Sequence, residues 1–329
     1  MAANQKTEKL TIANIIAIVG VVLLMAFSYM GHSYMSGGEL GWDILISVLI
    51  SSFVSFLLWF LIKAKGAENN IDNWKKAEFA ALAVYVVFAI PASLFGGIMQ
   101  FFVVNDNKEA IKQFAEDDLK KIDSLFSEYT TYESRAIATT GAGLQNATRT
   151  DQICDENLNN FMSQNNISHN NESAKNFERL KTEALIGTGF NSYHNKYKDK
   201  RAEIKNAVSS WSIIQIPSKA KLIEELAKSA ENELSRLSKK VKLPNITYDS
   251  DDGRYTIRGY QCKNFSVSEG SDSFQFKKAL KETSGISFTA LLVVLLIHFM
   301  ILFNYLVAYR TSSIGVSKST EEDGGRILF

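Results

Sequence analysis

Four stretches of this chain run for about 20 residues each without a single Asp, Glu, Lys or Arg, and they decide what it can become. They extend from Leu10 to Met30, Ile44 to Ile62, Phe79 to Val104 and Ile286 to Tyr309. A hydrocarbon core about 30 Å thick is crossed by roughly 20 apolar residues in a helix. The alternative, a buried helix of a water-soluble protein, does not account for four such runs in 329 residues. The sequence therefore predicts four membrane spans. The first has an apolar core longer than the roughly 7–15 residues of a secretory signal, and no prompt small-x-small site follows it, so it reads as an uncleaved anchor.

The cations outside the spans set the orientation. The N-terminal tail carries Lys6 and Lys9, and the loop between spans two and three carries Lys63, Lys65, Lys75 and Lys76. The tail after span four carries Arg310, Lys318 and Arg326, whereas the loop between spans one and two has Glu39 and Asp43 but no Lys or Arg. With four spans, both tails and the second loop share one face. The excess of Lys and Arg in short cytoplasmic loops makes that face cytoplasmic. Residues 105–285 then form a domain outside the cytoplasm, between an N-terminal membrane region of residues 1–104 and a fourth span with its tail, 286–329. The expected location is the plasma membrane. The Asn- and Lys-rich composition favours a bacterial inner membrane.

Within residues 105–285 helical periodicity dominates. Ile111, Phe114, Leu119, Ile122, Phe126 and Tyr129 recur at intervals of three and four, which continues span three as a stalk to about Ala138. Further helices are expected near Glu172–Ile186, Ser192–Trp211 and Lys219–Val241, the last capped by Ser218 and stopped by Pro244. Alternation around Asp252-Gly253 predicts a β-hairpin. Phe274–Lys281 again reads as a helix. Thr139–Thr150 and Ser163–Ser173, rich in small polar residues, read as loops. The expected fold class is an all-α membrane protein: four transmembrane helices, with a mainly helical extracytoplasmic domain and a small β-hairpin inserted between the third and the fourth. In layout alone this is similar to tetraspanins, which also place a large outer domain between spans three and four. The Cys-Cys-Gly motif and further cysteines of that family are absent here, so no function carries over.

The two cysteines, Cys154 and Cys262, both lie in this domain. An oxidising compartment permits a disulfide between them, which would stabilise the domain by a few kcal/mol; two separate thiols are the alternative. Charge is balanced, with 27 Lys and Arg against 26 Asp and Glu in residues 105–285. That gives no basic excess for a nucleic acid. Asp249–Gly253 superficially resembles a calcium loop, but its glycine is one residue early and the closing Glu is missing, so a hairpin turn is expected. Asn146, Asn166, Asn171, Asn245 and Asn264 begin Asn-x-Ser/Thr sequons, which matter only in a eukaryotic secretory pathway.

Inside the spans the polar residues are few. His298 is the one Asp, Glu, His, Lys or Arg near the middle of a span, and such residues usually face a bundle interior. It reads as a proton-responsive group, or as an imidazole bonded to a neighbouring helix near Asn304 or Asn14. Pro91, Gly96 and Gly97 interrupt span three, as a hinge or as a site of close packing. Ser47, Ser51 and Ser55 form a small-residue stripe on span two.

Sequence patterns of enzymes are missing. There is no Walker-type or dinucleotide-binding glycine loop, no His-Glu-x-x-His, no Gly-x-Ser-x-Gly and no Cys-x-x-Cys. No catalytic residue, metal ligand set or cofactor is expected. The function expected is that of a non-enzymatic anchoring, scaffold or sensor subunit of an envelope complex, embedded in membrane lipid and binding protein partners through its outer domain. The alternative is a channel or transporter subunit formed when the four-helix unit assembles as a homo-oligomer.

Overall fold

A computed structural model describes residues 2–66, 71–149, 152–267 and 274–307, with side chains throughout except for 2–11, 66 and 71–74. The side chains of Lys6 and Lys9, and the tail with Arg310, Lys318 and Arg326, lie outside the described residues. So does the end of the fourth apolar run beyond Val307.

The helices follow the apolar runs. α1 covers Ala2–Ser36 and α2 Leu40–Gly66. The third run is a composite of α3 (Ile71–Val84), a π-turn (Tyr85–Ala89), α4 (Ile90–Ser93), a second π-turn (Leu94–Ile98) and α5 (Met99–Asp106). After one non-helical residue, Asn107, the chain resumes as α6 (Lys108–Ala147). Then come α7 (Glu156–Gln164), α8 (Asn171–Ile186), α9 (Thr188–Ser209), α10 (Ile216–Lys240), strands β1 (Leu243–Asp249) and β2 (Arg254–Gln261), α11 (Gln275–Glu282) and α12 (Phe288–Val307). Among the described residues, four helices are long and apolar enough to cross a membrane: Ile12–Ser36, Leu40–Lys65, Lys75–Asp106 and Phe288–Val307. The protein is thus mostly helical, a multi-pass membrane protein with a small two-stranded sheet.

The chain divides into two compact units, residues 1–111 with 277–329, and residues 112–276. The membrane unit buries a core that includes Leu24, Leu61, Tyr85, Ile98 and Ile301, and it also carries a large apolar outer surface. Large apolar side chains such as Ile18, Leu49, Phe56, Phe88, Leu295 and Phe299 point outward. Small residues, among them Ala13, Ala17, Ser28, Ser47 and Ser51, are buried between helices. Lipid is as apolar as leucine, so these helices associate through close packing, to which the small residues contribute by letting backbones approach. The first span is the hub, packing on α2, α5, the second π-turn and α12. Gly20 brings it against the fourth span, where a Cβ would lie 2.9 Å from Ile301 Cγ1.

The closest approach is at Gly31. A Cβ there would collide with the backbone of Gly97 in the third span. Gly97 has φ +111°, in the region that favours glycine, and with Gly96 it breaks the helical conformation. A broken helix in lipid needs partners for its freed carbonyls. Ser28 Oγ supplies one, donating to the Gly96 carbonyl at 2.7 Å. Pro91, which lacks an N–H, sits in the first turn of α4 with a π-turn on either side.

In the second unit α6 runs past Ala138 to Ala147, so residues 139–147 are helix and not the expected loop. Their glycines mark close contact: a Cβ at Gly143 would lie 2.8 Å from Ile246 Cβ. Leu144 and Ala147 are fully buried beside α7, α8 and β1, and the Thr140 hydroxyl donates to the Pro244 carbonyl at 2.9 Å. Of the other expected loop, only the segment between α7 and α8 is irregular, and Ile167 is buried there. α7 lies outside the expected helices, although Leu158, Phe161 and Met162, at helical spacing, form its buried face. It starts at Asp155, which accepts the Leu158 N–H. Ser218 does not cap α10; its hydroxyl donates to the Gln215 carbonyl inside the first turn. Pro244 lies within β1, paired with Tyr260 beside an irregularity in the register, a position at which strands accommodate proline. The hairpin forms as expected, with Gly253 at φ +65° in the turn.

The expected disulfide is not formed. Cys154 and Cys262 are both free thiols. Cys154 bridges Tyr255 at one end of β2, whereas Cys262 follows its other end. Seven residues of strand separate the two levels, about 20 Å at ~3.3 Å per residue, far beyond the reach of a disulfide.

Substituting Gly31 by Ala drives a methyl group into the backbone of Gly97. The expected cost is about 2–4 kcal/mol, typical of overpacking at a backbone contact. Thermal unfolding of the purified protein in detergent should show a clear fall in midpoint for Gly31→Ala. Gly41→Ala, where no atom lies within 4 Å, should leave it equal or higher.

Candidate functional site

His298 is 2% exposed and shares a hydrogen bond of 2.8 Å between its Nδ1 and the hydroxyl of Tyr85, which the first π-turn carries. The two rings meet edge to face at 85°. Nε2 has no partner among the described residues. The neighbouring-helix partner expected from the sequence is therefore Tyr85, not Asn304 or Asn14. Those two amides pair with each other, Asn304 Nδ2 donating to Asn14 Oδ1 between the fourth and first spans.

A third polar cluster ties three spans together through Lys65, Glu78 and Tyr305. Lys65 Nζ donates to the Tyr305 carbonyl at 2.6 Å and lies 4.6 Å from the centre of that ring. The Tyr305 hydroxyl donates to Glu78 Oε1, also at 2.6 Å, and Glu78 is buried. Glu78 abuts the third apolar run by one residue, the only sequence signal it gave. Nearer the first loop, Asp43 is 1% exposed and accepts from Ser36 at 3.0 Å. In the serine stripe, Ser47 donates to the Asp43 carbonyl and Ser55 to the Ser51 carbonyl, each four residues back in the same helix. Ser93 in the third span bonds back to Ala89 in the same way. These hydroxyls serve their own backbone.

In the second unit, α6 and α9 meet through stacked rings: Phe126 lies 4.6 Å from both His194 and Tyr197, and Tyr129 lies 5.2 Å from Phe190. Beside them Asp123 accepts from the Tyr197 hydroxyl at 2.7 Å and from Arg201 Nε at 2.9 and 3.0 Å. Burial, with Asp123 alongside, pushes the Tyr197 phenol far above its usual range. Burial and Lys198 hold the His194 imidazole below its ordinary value. Glu133 is buried in the middle of α6, and its Oε1 has no partner among the described residues. Burial raises its pKa, and the Ser238 hydroxyl opposes that in part. Asp118, also buried, accepts the Phe276 N–H at 2.8 Å at the start of α11 and pairs with Lys121.

Two open grooves flank α6. One, of about 470 Å³, is lined by Lys112, Glu116, Lys120, Arg201 and Lys205. The other, of about 740 Å³, runs along α8 past Ser134, Lys175, Glu178 and Glu183. Among the described residues no three His, Cys, Asp or Glu side chains come close enough to hold a metal ion. Burial and the nearby Asp155 raise the Cys154 thiol, which weakens it as a nucleophile; Cys262 is exposed.

Replacing Tyr85 by Phe leaves the buried His298 Nδ1 without its partner and should cost about 0.5–2 kcal/mol. A double-mutant cycle with His298→Leu, read by thermal unfolding in detergent, should return most of that as coupling energy. For Glu133 the folded-state pKa is raised, so its contribution to stability is most favourable below the ordinary carboxylate range. It is lost as pH rises through the folded value. Glu133→Gln should therefore stabilise the protein at neutral pH and flatten the pH dependence of its melting temperature.

No protein-family model matches this chain, and no curated protein or solved structure is similar to it.

Proposed function

We propose that this chain is a non-enzymatic membrane-anchored subunit of an envelope assembly, whose helical unit stands outside the cytoplasm as a scaffold or sensor for protein partners. The single observation that carries this reading is the distribution of cations around the four spans. Lys63, Lys65, Lys75 and Lys76 cluster at the second loop, while the first loop has none. By the positive-inside rule that puts both tails inside and residues 112–276, which form their own compact unit, on the other face. The plasma membrane, in a bacterium the inner membrane, is the location that fits.

A role in protein contact is supported by how polar groups are used. Several polar side chains of the spans bond to each other or to their own helices, as at Tyr85–His298, Asn14–Asn304 and Ser47. The second unit offers long open grooves along α6. The competing role as a channel or transporter subunit draws on the broken third span and on His298, and it needs several copies to make a path.

The exposed thiol of Cys262 tests the orientation directly. A membrane-impermeant maleimide applied to intact cells should label the wild-type chain and not Cys262→Ser. Labelling only after permeabilisation would overturn the orientation. Mild detergent extracts should then contain other proteins in fixed ratio to this chain. A partner-free particle whose reconstitution conducts ions, with sensitivity to His298→Ala, would overturn the scaffold reading in favour of the channel.

A further inference from the structure

The connection between α9 and α10 breaks two rules at once. α9 ends in a Schellman motif: the Trp211 N–H bonds to the Val208 carbonyl at 3.1 Å, and the Ser212 N–H bonds to the Ala207 carbonyl at 3.0 Å. The residue that must turn left-handed in this motif is usually glycine. Here it is Trp211, at φ +49°. Three residues on, Ile214 is 80% exposed to solvent. A strained Trp and a bare Ile share the tip of one short loop.

A lysine stands over the Trp ring. Lys112 Nζ lies 5.9 Å from the centre of the Trp211 ring. The groove of about 470 Å³ that reaches Val208 and Ser209, next to the tip, is lined by Lys112, Lys120, Arg201 and Lys205, of which Lys120 pairs with Asp117, Arg201 with Asp123 and Lys205 with Glu116. Chain connectivity adds a distance limit that holds whatever the placement of the unit. Lys112 is six residues beyond Asp106, where the third candidate span ends, hence at most about 20 Å away along extended chain. An aromatic ring flanked by an aliphatic tip and lysines, tethered this close to a span, has the composition of a segment that rests in the lipid interface. Trp seats at headgroup depth, the aliphatic group reaches the acyl boundary, and cations meet acidic lipid.

We propose that the loop Trp211–Gln215 is a lipid-interface wedge, which inserts its Trp and Ile into an acidic phospholipid surface and docks the second unit on the membrane that its own spans cross. The assignment is independent of which face of the membrane the unit occupies.

The test uses the full chain with Cys154→Ser, Cys262→Ser and Gln215→Cys, carrying an environment-sensitive fluorophore. It is reconstituted into phosphatidylcholine–phosphatidylglycerol vesicles with and without a headgroup-nitroxide lipid. A label at His169→Cys, in the exposed loop between α7 and α8, is the reference. The label at 215 should be several-fold more strongly quenched by the nitroxide lipid than the label at 169, and less so in pure phosphatidylcholine. Ile214→Ser and Trp211→Gly should each reduce that quenching. Trp211→Gly should keep the fold, since glycine suits the left-handed position, so its loss of quenching would not reflect unfolding. Equal quenching at 215 and 169 would overturn the proposal, as would quenching that neither substitution changes. A label at 215 that is shielded from water yet untouched by the nitroxide lipid would also overturn it, because a protein surface and not lipid would then cover the loop. Equal quenching in the two vesicle types would refute the role given to acidic lipid.

Discussion

The first and third spans touch backbone to backbone at Gly31 and Gly97, and the membrane unit is organised around that crossing. Within lipid there is no water to satisfy a broken helix, so the third span can leave helical geometry at Gly96 and Gly97 only where a neighbour takes over its hydrogen bonds. The first span does so with Ser28 while lacking any side chain at Gly31 that would keep it away. A second glycine, Gly20, presses the same span on the fourth. Two close approaches about three turns apart on one face of the first span explain why it is the hub.

Much of this architecture was legible in the sequence, because the relevant forces are coarse. Charge-free runs of membrane length located the spans, and period-three-and-four spacing located α8, α9 and α10 within a few residues. The hairpin followed from Asp252-Gly253. What failed was local chemistry overruled by packing. Gly141 and Gly143 carry the composition of a loop, yet both lie in α6, where a glycine admits a neighbour closely. Ser218 has the chemistry of a helix cap but stands inside the first turn. The cysteine pair suited an oxidising compartment, yet nothing in the sequence reveals that a strand separates the two sulfurs.

The polar sites were visible only one residue at a time. His298 stood out as an ionisable group in an apolar run, but its partner did not, since Tyr85 in such a run looks like any lipid-facing ring. Glu78 lies one residue outside the predicted third span, and only the fold brings the Tyr305 hydroxyl onto it. Glu133 and Asp118 looked like ordinary surface acids on an amphipathic helix, yet both are buried. Asp118 is compensated by the start of α11 and by Lys121. Glu133 keeps an unpartnered oxygen, and it is the less comfortable of the two.

One carboxylate in the second unit does two jobs. Asp155 caps α7 through the Leu158 N–H with one oxygen and receives the Thr256 hydroxyl of β2 at 2.6 Å with the other, while its own N–H bonds to the Tyr255 carbonyl. Helix and ribbon are therefore sewn at a single residue. Neither can fray alone without stranding an acceptor the other needs, so the two melt and reform as one cooperative fragment.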